Sequence, residues 1–261
     1  MTKDNDIVQI ISEKYKDIFN LSNEMIGSAP AVVVGQNANT LPKQIALFHY
    51  ARSIYLLDAI ARLCIEGFAN EAMIILRSFL NLFINLKWVT SDNYKYRMER
   101  FADFEVVQKK LAIEKIIKYG SIPNQIGDTE VSPHDEAFEK VKAKYGLKTY
   151  WDLTNWSGKS IRKMAKEVCL ENDYHIIYGK LSEIEHTGPA SVRDYLDDSE
   201  EGITSVKIGG RDKDIDLVML TSLEFYAGVK AITLNVFDMD WDSFEEQRQK
   251  VSTLKTKYWN N

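Results

Sequence analysis

The most apolar part of the chain runs from Phe68 to Val89, and it constrains the fold more than any other segment. Its apolar residues lie nearly all round a helix, which is typical of a central helix that other helices surround. A membrane span is disfavoured because the stretch also contains five polar or charged residues, namely Glu71, Arg77, Asn81, Asn85 and Lys87. We therefore predict that residues 69–90 form the buried central helix of a soluble protein.

Helical periodicity extends over most of the remaining chain, which has only 13 Gly and 5 Pro in 261 residues. Further helices are predicted over residues 5–27, 42–66 and 94–119, up to Tyr145 after a polar loop at 120–133, and over 160–170, 172–186, 214–237 and 242–259. Residues 28–40 are predicted to interrupt the helices. Residues 203–208 alternate between apolar and polar side chains, which predicts one short strand. Short connections favour antiparallel packing of neighbouring helices.

These patterns predict an all-α fold, a multi-helix bundle with a loop-rich insert near residues 187–213 and at most one short strand or hairpin. We expect a single helical domain over residues 1–261. Its core would occupy about 41–238, with the N-terminal and C-terminal helices packed on it.

Composition and charge make some classes of protein less favoured than others. The formal charge is −5 and the isoelectric point is near 5.5, which does not favour a non-specific nucleic-acid binder. The first residues lack the apolar core of a signal peptide, so a cytoplasmic protein without a membrane anchor is expected. Both cysteines, Cys64 and Cys169, lie in apolar helical patterns and are interpreted as small core residues.

Three polar residues on the central helix form one stripe, because Arg77, Asn81 and Asn85 are spaced by four. A buried guanidinium must be paired or heavily hydrogen-bonded. One interpretation is a pocket that binds an anion, a phosphate or a substrate carboxylate. The other is a structural ion pair between helices, with Asp58 or Glu183 as the partner.

A second group of candidates lies on one face of the helix at 172–186, where Tyr178, Ser182 and either Glu185 or His186 follow at intervals of three or four. His186 at the helix end suits a general acid or base that Tyr178 orients, while the alternative is a satisfied histidine near a helix C-cap. Glu183 and His186 form a single Glu-x-x-His motif, whereas a di-iron bundle needs two. No metal site and no cofactor are therefore predicted.

The third candidate region is basic and aromatic, over residues 138–166, and includes Trp156 and Lys159. Such a stretch can bind an anion or stack nucleobases. It can equally be a solvated face whose tryptophans point into the core, and we favour that interpretation.

Three segments carry a family resemblance: Glu71-Ala72-Met73-Ile74-Ile75-Leu76-Arg77-Ser78, the run from Trp156 to Ala165, and the run from Tyr174 to His186. Their order and spacing resemble the bacterial domain-of-unknown-function family 5677 over roughly residues 45–235. The resemblance implies an all-helical fold and supplies no reaction. This chain departs from the family pattern at Asn81, where a glutamate is usual.

Together these features favour a binding or interaction module with an Arg-lined pocket for an anionic ligand. The ligand-binding residues would be Arg77, Asn81, Asn85, Tyr178, Ser182, Trp156 and Lys159. The alternative is a metal-independent ribonuclease similar to the HEPN toxin and phage-defence domains, with Arg77 and His186 as catalytic residues. Those domains place the Arg close to the His in sequence, whereas position 180 here is Lys180. Enzymatic and non-enzymatic functions both stay open, with a small anionic ligand or a protein as partner, nucleic acid not favoured, and a homodimer plausible.

Overall fold

The computed structural model describes residues 2–119, 128–185, 195–199, 202–206 and 209–259. These residues are almost entirely helical, apart from one two-stranded hairpin, and the predicted all-α class is confirmed. They divide into two compact units: unit 1 comprises residues 1–87 and 165–261, and unit 2 comprises residues 88–164. The single-domain organisation over 1–261 stays a prediction.

Unit 1 contains the long apolar helices. Its elements are α1 (Thr2–Lys14), α2 (Lys16–Gly27), α3 (Ala29–Val33), α4 (Leu41–Ile65), most of α5 (Ala69–Val89), α10 (Glu171–Glu185), strands β1 (Leu196–Ser199) and β2 (Gly202–Val206), α11 (Ile215–Val236) and α12 (Asp242–Trp259). Unit 2 contains α6 (Tyr94–Tyr119), α7 (Asp128–Tyr145) and α8 (Tyr150–Thr154), and the short α9 (Ile161–Glu167) lies at the unit boundary.

Most helix boundaries match the sequence pattern, and the exceptions have local causes. The predicted helix over 5–27 is two helices, because the i→i−4 ladder is interrupted after Tyr15, where the Ile18 amide donates to the Tyr15 carbonyl three residues back. The break at 28–40 includes the short helix α3, which begins at Ala29 and has Pro30 in its first turn, a position that proline tolerates. The polar loop at 120–133 was predicted too long, since α7 already begins at Asp128.

The predicted strand lies in an antiparallel hairpin, in which Leu196 pairs with Val206 and Ser199 pairs with Gly202. The register shifts between Asp197 and Asp198. The rest of the predicted insert at 186–194 lies outside the described residues. The hairpin partner β1 was not predicted, because its sequence is acidic and lacks the β-branched alternation of a strand.

The core of unit 1 forms where α11 packs along α4. Tyr50 of α4 and Tyr226 of α11 are both fully buried, and their hydroxyl oxygens lie 2.8 Å apart. The Tyr226 hydroxyl also donates to the carbonyl of Met25 in α2. Burial of the two hydroxyls is tolerated because each takes part in a hydrogen bond.

A close crossing of two glycines fixes the turn before α5. Gly67 ends the turn after α4 with φ +82°, a conformation that a side chain would strain. A Cβ atom at Gly210 would lie 2.0 Å from the carbonyl oxygen of Glu66. The chain after the hairpin therefore passes directly against the loop that starts the central helix.

The two cysteines differ in environment. Cys64 is buried, as predicted, whereas the prediction of a core position for Cys169 is wrong, because that side chain is exposed. Cys169 has φ +58° in the turn after α9, and it points away from the core while its neighbours Val168 and Leu170 are buried.

Two helices, α5 and α11, are long and apolar enough to cross a membrane. Core helices of soluble proteins meet the same criterion, and most of each helix is buried within the protein. The cytoplasmic location stays an expectation.

Candidate functional site

The polar stripe predicted on α5 is present, with Arg77, Asn81 and Asn85 each half-buried. The three residues lie on one face because four residues advance an α-helix by slightly more than one turn. The flanking positions Leu76, Leu80 and Ile84 are buried, so the stripe adjoins apolar packing. Polar groups at such positions need hydrogen-bond partners.

Arg77 finds such a partner on α10. Its Nη2 atom donates a hydrogen bond to the hydroxyl of Tyr178, and its guanidinium carbon lies 4.1 Å from the centre of the Tyr178 ring. Tyr174 stacks on Tyr178 with ring centres 4.5 Å apart. The guanidinium is therefore held by a hydrogen bond and by a cation–π contact with an aromatic pair.

The two asparagines of the stripe have buried side-chain oxygen atoms. The Oδ1 atoms of Asn81 and Asn85 are buried, and neither accepts a hydrogen bond from any residue that the structure describes. A buried acceptor without a partner costs about 1–3 kcal/mol. The stripe thus combines a positioned cation with two acceptors whose hydrogen-bonding capacity is unused.

The predicted structural partner of Arg77 has another contact. Asp58 accepts a hydrogen bond from Nε of Arg62 on the same helix, at 2.9 Å. The other proposed partner, Glu183, lies on α10 at a position whose side chain is not described. The described contacts of Arg77 therefore favour the tyrosine over Asp58.

The remaining candidates on α10 are only partly placed. Ser182 lies on α10, two turns from Tyr174, and its side chain is not described. His186 lies outside the described residues, so its approach to Arg77 stays a prediction. Within the described residues no three His, Cys, Asp or Glu side chains form a metal-binding group.

Trp156 and Lys159 lie in unit 2, in a separate cluster around Trp88. The ring centres of Trp156 and Trp88 are 5.6 Å apart, and Nζ of Lys159 lies 5.6 Å from the Trp88 ring centre. The Arg97 guanidinium lies 4.0 Å from the same ring and donates to the Trp88 carbonyl at 2.7 Å. Trp88 is buried and Trp156 half-buried, so this cluster belongs to the packing of unit 2.

The loop that presents Trp156 and Lys159 is held by its own hydrogen bonds. The buried Ser157 hydroxyl contacts Oδ1 of Asn155 at 2.8 Å and the Lys159 carbonyl at 2.9 Å. Gly158 adopts φ +68°, which this turn requires. The short segment therefore has a structural explanation that needs no bound anion.

Three of the eight basic residues in the stretch at 138–166 pair with acidic neighbours. Lys140 pairs with Glu136, Lys142 with Glu139, and Lys144 with Asp103. These exposed pairs agree with the solvated-face interpretation. Trp151 is exposed, in contrast to the expectation that the tryptophans of this stretch point inward.

Sequence reasoning missed Tyr174, Trp88 and Arg97 as members of these clusters. Tyr174 could have been found, because it precedes Tyr178 by four residues on the same helix face. Trp88 was hidden within the apolar run of the central helix. A cavity of about 750 Å³ opens elsewhere in unit 1, and its lining does not include Arg77, Asn81 or Asn85.

The comparison with protein families gave one match. The model of a "Family of unknown function (DUF5677)" matches residues 43–203. This range includes α5 and α10, which carry the candidate site. No curated protein and no solved structure matches the chain.

Proposed function

The chain belongs to the DUF5677 family, a family of unknown function, and we propose that unit 1 is a binding module for a small anionic ligand. The binding site is the α5 stripe of Arg77, Asn81 and Asn85, together with Tyr178 of α10. The observation that carries the proposal is the pair of buried amide oxygens at Asn81 and Asn85 without hydrogen-bond partners. Such groups persist in native proteins where a ligand or a function uses them.

The chemistry of the stripe specifies two features of the ligand. A carboxylate or phosphate suits the Arg77 guanidinium, whose planar donors match these groups in geometry and charge. The amide oxygens require N–H or O–H donors, at about 6 Å and about 12 Å from Arg77 along the helix. The ligand is therefore an anion that also carries hydrogen-bond donors.

Tyr178 would move when the ligand binds. In the free protein the Tyr178 hydroxyl accepts a hydrogen bond from the Arg77 guanidinium. A ligand anion would take the place of this hydroxyl. The amide oxygens are closed to solvent, so binding requires a local opening of the side chains around the stripe. The stacking of Tyr174 on Tyr178 gives this opening an energetic cost.

The test of the proposal compares stability with binding in the variants Asn81→Leu and Asn85→Leu. If the amides are kept for a ligand, each substitution removes an unpartnered acceptor and raises the free energy of unfolding by about 1–2 kcal/mol. Asn235→Leu, at an exposed position of α11, is the control. It measures how much of the stability change comes from the higher helix propensity of leucine. Lower stability of both stripe variants would mean that the amides have structural partners, and the proposal would be wrong.

Binding is measured by calorimetry with probes that separate the two features. Acetate and sulfate address Arg77 alone, because neither carries a hydrogen-bond donor at neutral pH, whereas glycylglycine and adenosine monophosphate add N–H donors. We expect the second pair to bind more tightly, and Arg77→Gln to weaken all four probes at least tenfold. Weak binding of every probe that Arg77→Gln does not change would contradict the site.

The ribonuclease alternative is separated by an independent assay. If the protein is a binding module, neither the wild type nor the His186→Ala variant cleaves total RNA. Cleavage by the wild-type chain that disappears in His186→Ala would instead establish catalysis at that residue.

A further inference from the structure

A cavity in unit 1, of about 750 Å³, is not explained by the proposed anion site. It is bounded by α5, the start of α10, α11 and α12. Its volume lies within the range of sites for small molecules. None of its lining residues belongs to the Arg77 stripe.

The floor of this cavity is aromatic and tightly packed. Phe83, Phe225 and Phe244 are 9%, 2% and 1% exposed, and the rings of Phe83 and Phe225 have centres 5.6 Å apart. A Cβ atom at Gly228 would lie 2.4 Å from Cζ of Phe83, so only glycine allows the ring to lie this close to α11. The floor is therefore formed before any ligand binds.

Two tryptophans stand at the edge of the cavity. Trp241 is 42% exposed and Trp259 is 41% exposed, at the two ends of α12. Trp241 and Phe244 form a T-shaped pair, with ring centres 5.5 Å apart. Partly exposed tryptophans beside a buried aromatic floor offer ring faces to a ligand.

The charges of the cavity are unevenly compensated. Lys255 pairs with Glu224 at 2.8 Å, and Arg248 pairs with Glu245 at 2.7 Å. Asp173, in the first turn of α10, forms no ion pair or hydrogen bond with any residue that the structure describes. Among the described residues, the cavity therefore has one carboxylate without a counter-ion, in addition to five aromatic side chains.

The contacts of Lys255 show how a cation is bound at one end of the cavity. Its ammonium lies 4.8 Å from the centre of the Trp259 ring while it pairs with Glu224. A cation between an aromatic face and a carboxylate is thus already present at one end of the cavity. Asp173 offers a second carboxylate, for which the described residues supply no cation.

We propose that this cavity binds an organic cation that carries an apolar or aromatic group. The carboxylate of Asp173 compensates the positive charge, and the aromatic rings contact the apolar part and the cation face. An anion is disfavoured because the two basic residues of the cavity are already paired. The site is distinct in residues and in ligand charge from the stripe on α5.

The experiment uses three probes that share one benzyl group. These are benzyltrimethylammonium, benzyl alcohol and phenylacetate, titrated into the full chain by calorimetry. We expect the cation to bind at least tenfold more tightly than the neutral and anionic probes. Equal affinities of the three probes, or no saturable binding of the cation, would overturn the proposal.

Asp173→Asn tests the carboxylate, because it removes the charge and keeps the shape of the side chain. We expect the cation to lose at least tenfold in affinity while benzyl alcohol is unchanged. Glu171→Gln is the matched control, since it removes a charge from the same helical turn without lining the cavity. The same loss in both variants would assign the effect to α10 and not to the cavity.

Ala231→Phe tests the cavity itself, because Ala231 lines it from α11 and a larger side chain fills the space. We expect this variant to lose binding of the cation while it keeps the thermal midpoint within a few degrees. Retained affinity in a folded Ala231→Phe variant would place the bound cation elsewhere. Arg77→Gln should leave the cation affinity unchanged, which keeps this site separable from the proposed function.

Discussion

At the scale of single residues, the core contains several buried polar side chains, and His49 is one of them. His49 of α4 is 3% exposed, and its Nδ1 lies 2.8 Å from the carbonyl oxygen of Ile45. Because a carbonyl only accepts, Nδ1 must carry the proton. The hydrogen bond to Ile45 therefore places a proton on Nδ1 of the ring.

Stability should consequently depend on pH through His49. Burial lowers the pKa of His49 from 6.5 to about 4. The unfolded chain then binds a proton below pH 6.5 that the folded chain does not, so the free energy of unfolding falls as the pH decreases from 6.5 to 4. The full contribution is about 3 kcal/mol.

The variant His49→Asn isolates this contribution, since the asparagine amide can donate to Ile45 and does not titrate. We expect urea denaturation of this variant to lose the pH dependence between 6.5 and 4 that the wild type shows. His175→Asn, at an exposed position, is the control and should keep the wild-type dependence. Identical pH profiles for wild type and His49→Asn would show that the pKa of His49 is the same in the folded and the unfolded chain, and the prediction would be wrong.

At the scale of elements, periodicity predicted the helices well because burial on one face repeats every 3.6 residues. The helices α5, α6, α11 and α12 begin and end within about one or two residues of their expected positions. Turns were less predictable, since the interruption at Tyr15 and the positive φ of Cys169 depend on packing that leaves no sequence signal. The hairpin partner β1 is similarly set by pairing with β2.

The candidate site was only partly predictable for the same reason. The spacing of Arg77, Asn81 and Asn85 within α5 placed them on one face. The contact between Arg77 and Tyr178 joins two helices that are distant in sequence, and only the fold brings them together. Trp156 and Lys159, which were also predicted to bind the ligand, lie in unit 2 and contact Trp88, and their part in ligand binding stays a prediction.

A buried polar link between three elements gives a prediction at this scale. Lys230 of α11 is 3% exposed and donates to Oε1 of Gln247 of α12 at 2.8 Å. Nε2 of Gln247 in turn donates to the Ser28 hydroxyl between α2 and α3, at 3.1 Å. We expect Gln247→Leu to lower the free energy of unfolding by about 2–3 kcal/mol, because it leaves a buried ammonium without its acceptor.

The double variant Lys230→Met with Gln247→Leu separates this cause from lost packing. With both polar groups replaced, no unpartnered charge is left, and denaturation should show recovery of most of the lost stability. Gln249→Leu, at an exposed position of α12, should change stability by no more than about 0.5 kcal/mol. Additive losses in the double variant would contradict the coupling.

At the scale of the whole molecule, unit 2 is formed by a continuous segment between the two parts of unit 1. It has its own apolar cluster, which includes Phe104, Val107, Phe138 and Val141. The core of unit 1 lies instead along α4 and α11. Sequence periodicity does not distinguish two cores from one, because every helix shows an apolar face in either case.

Amide hydrogen exchange can distinguish the two organisations through a pair of core variants. Phe104→Ala should destabilise unit 2 by about 3–5 kcal/mol, and Leu220→Ala should destabilise unit 1 by about 2–5 kcal/mol, since both side chains are buried. If each unit has its own stability, Phe104→Ala lowers protection of α6 and α7 and leaves α11 protected, while Leu220→Ala does the reverse. If residues 1–261 fold as the single domain that the sequence predicts, each variant lowers the protection of α6, α7 and α11 by the same amount, because all their most protected amides then exchange through one global unfolding.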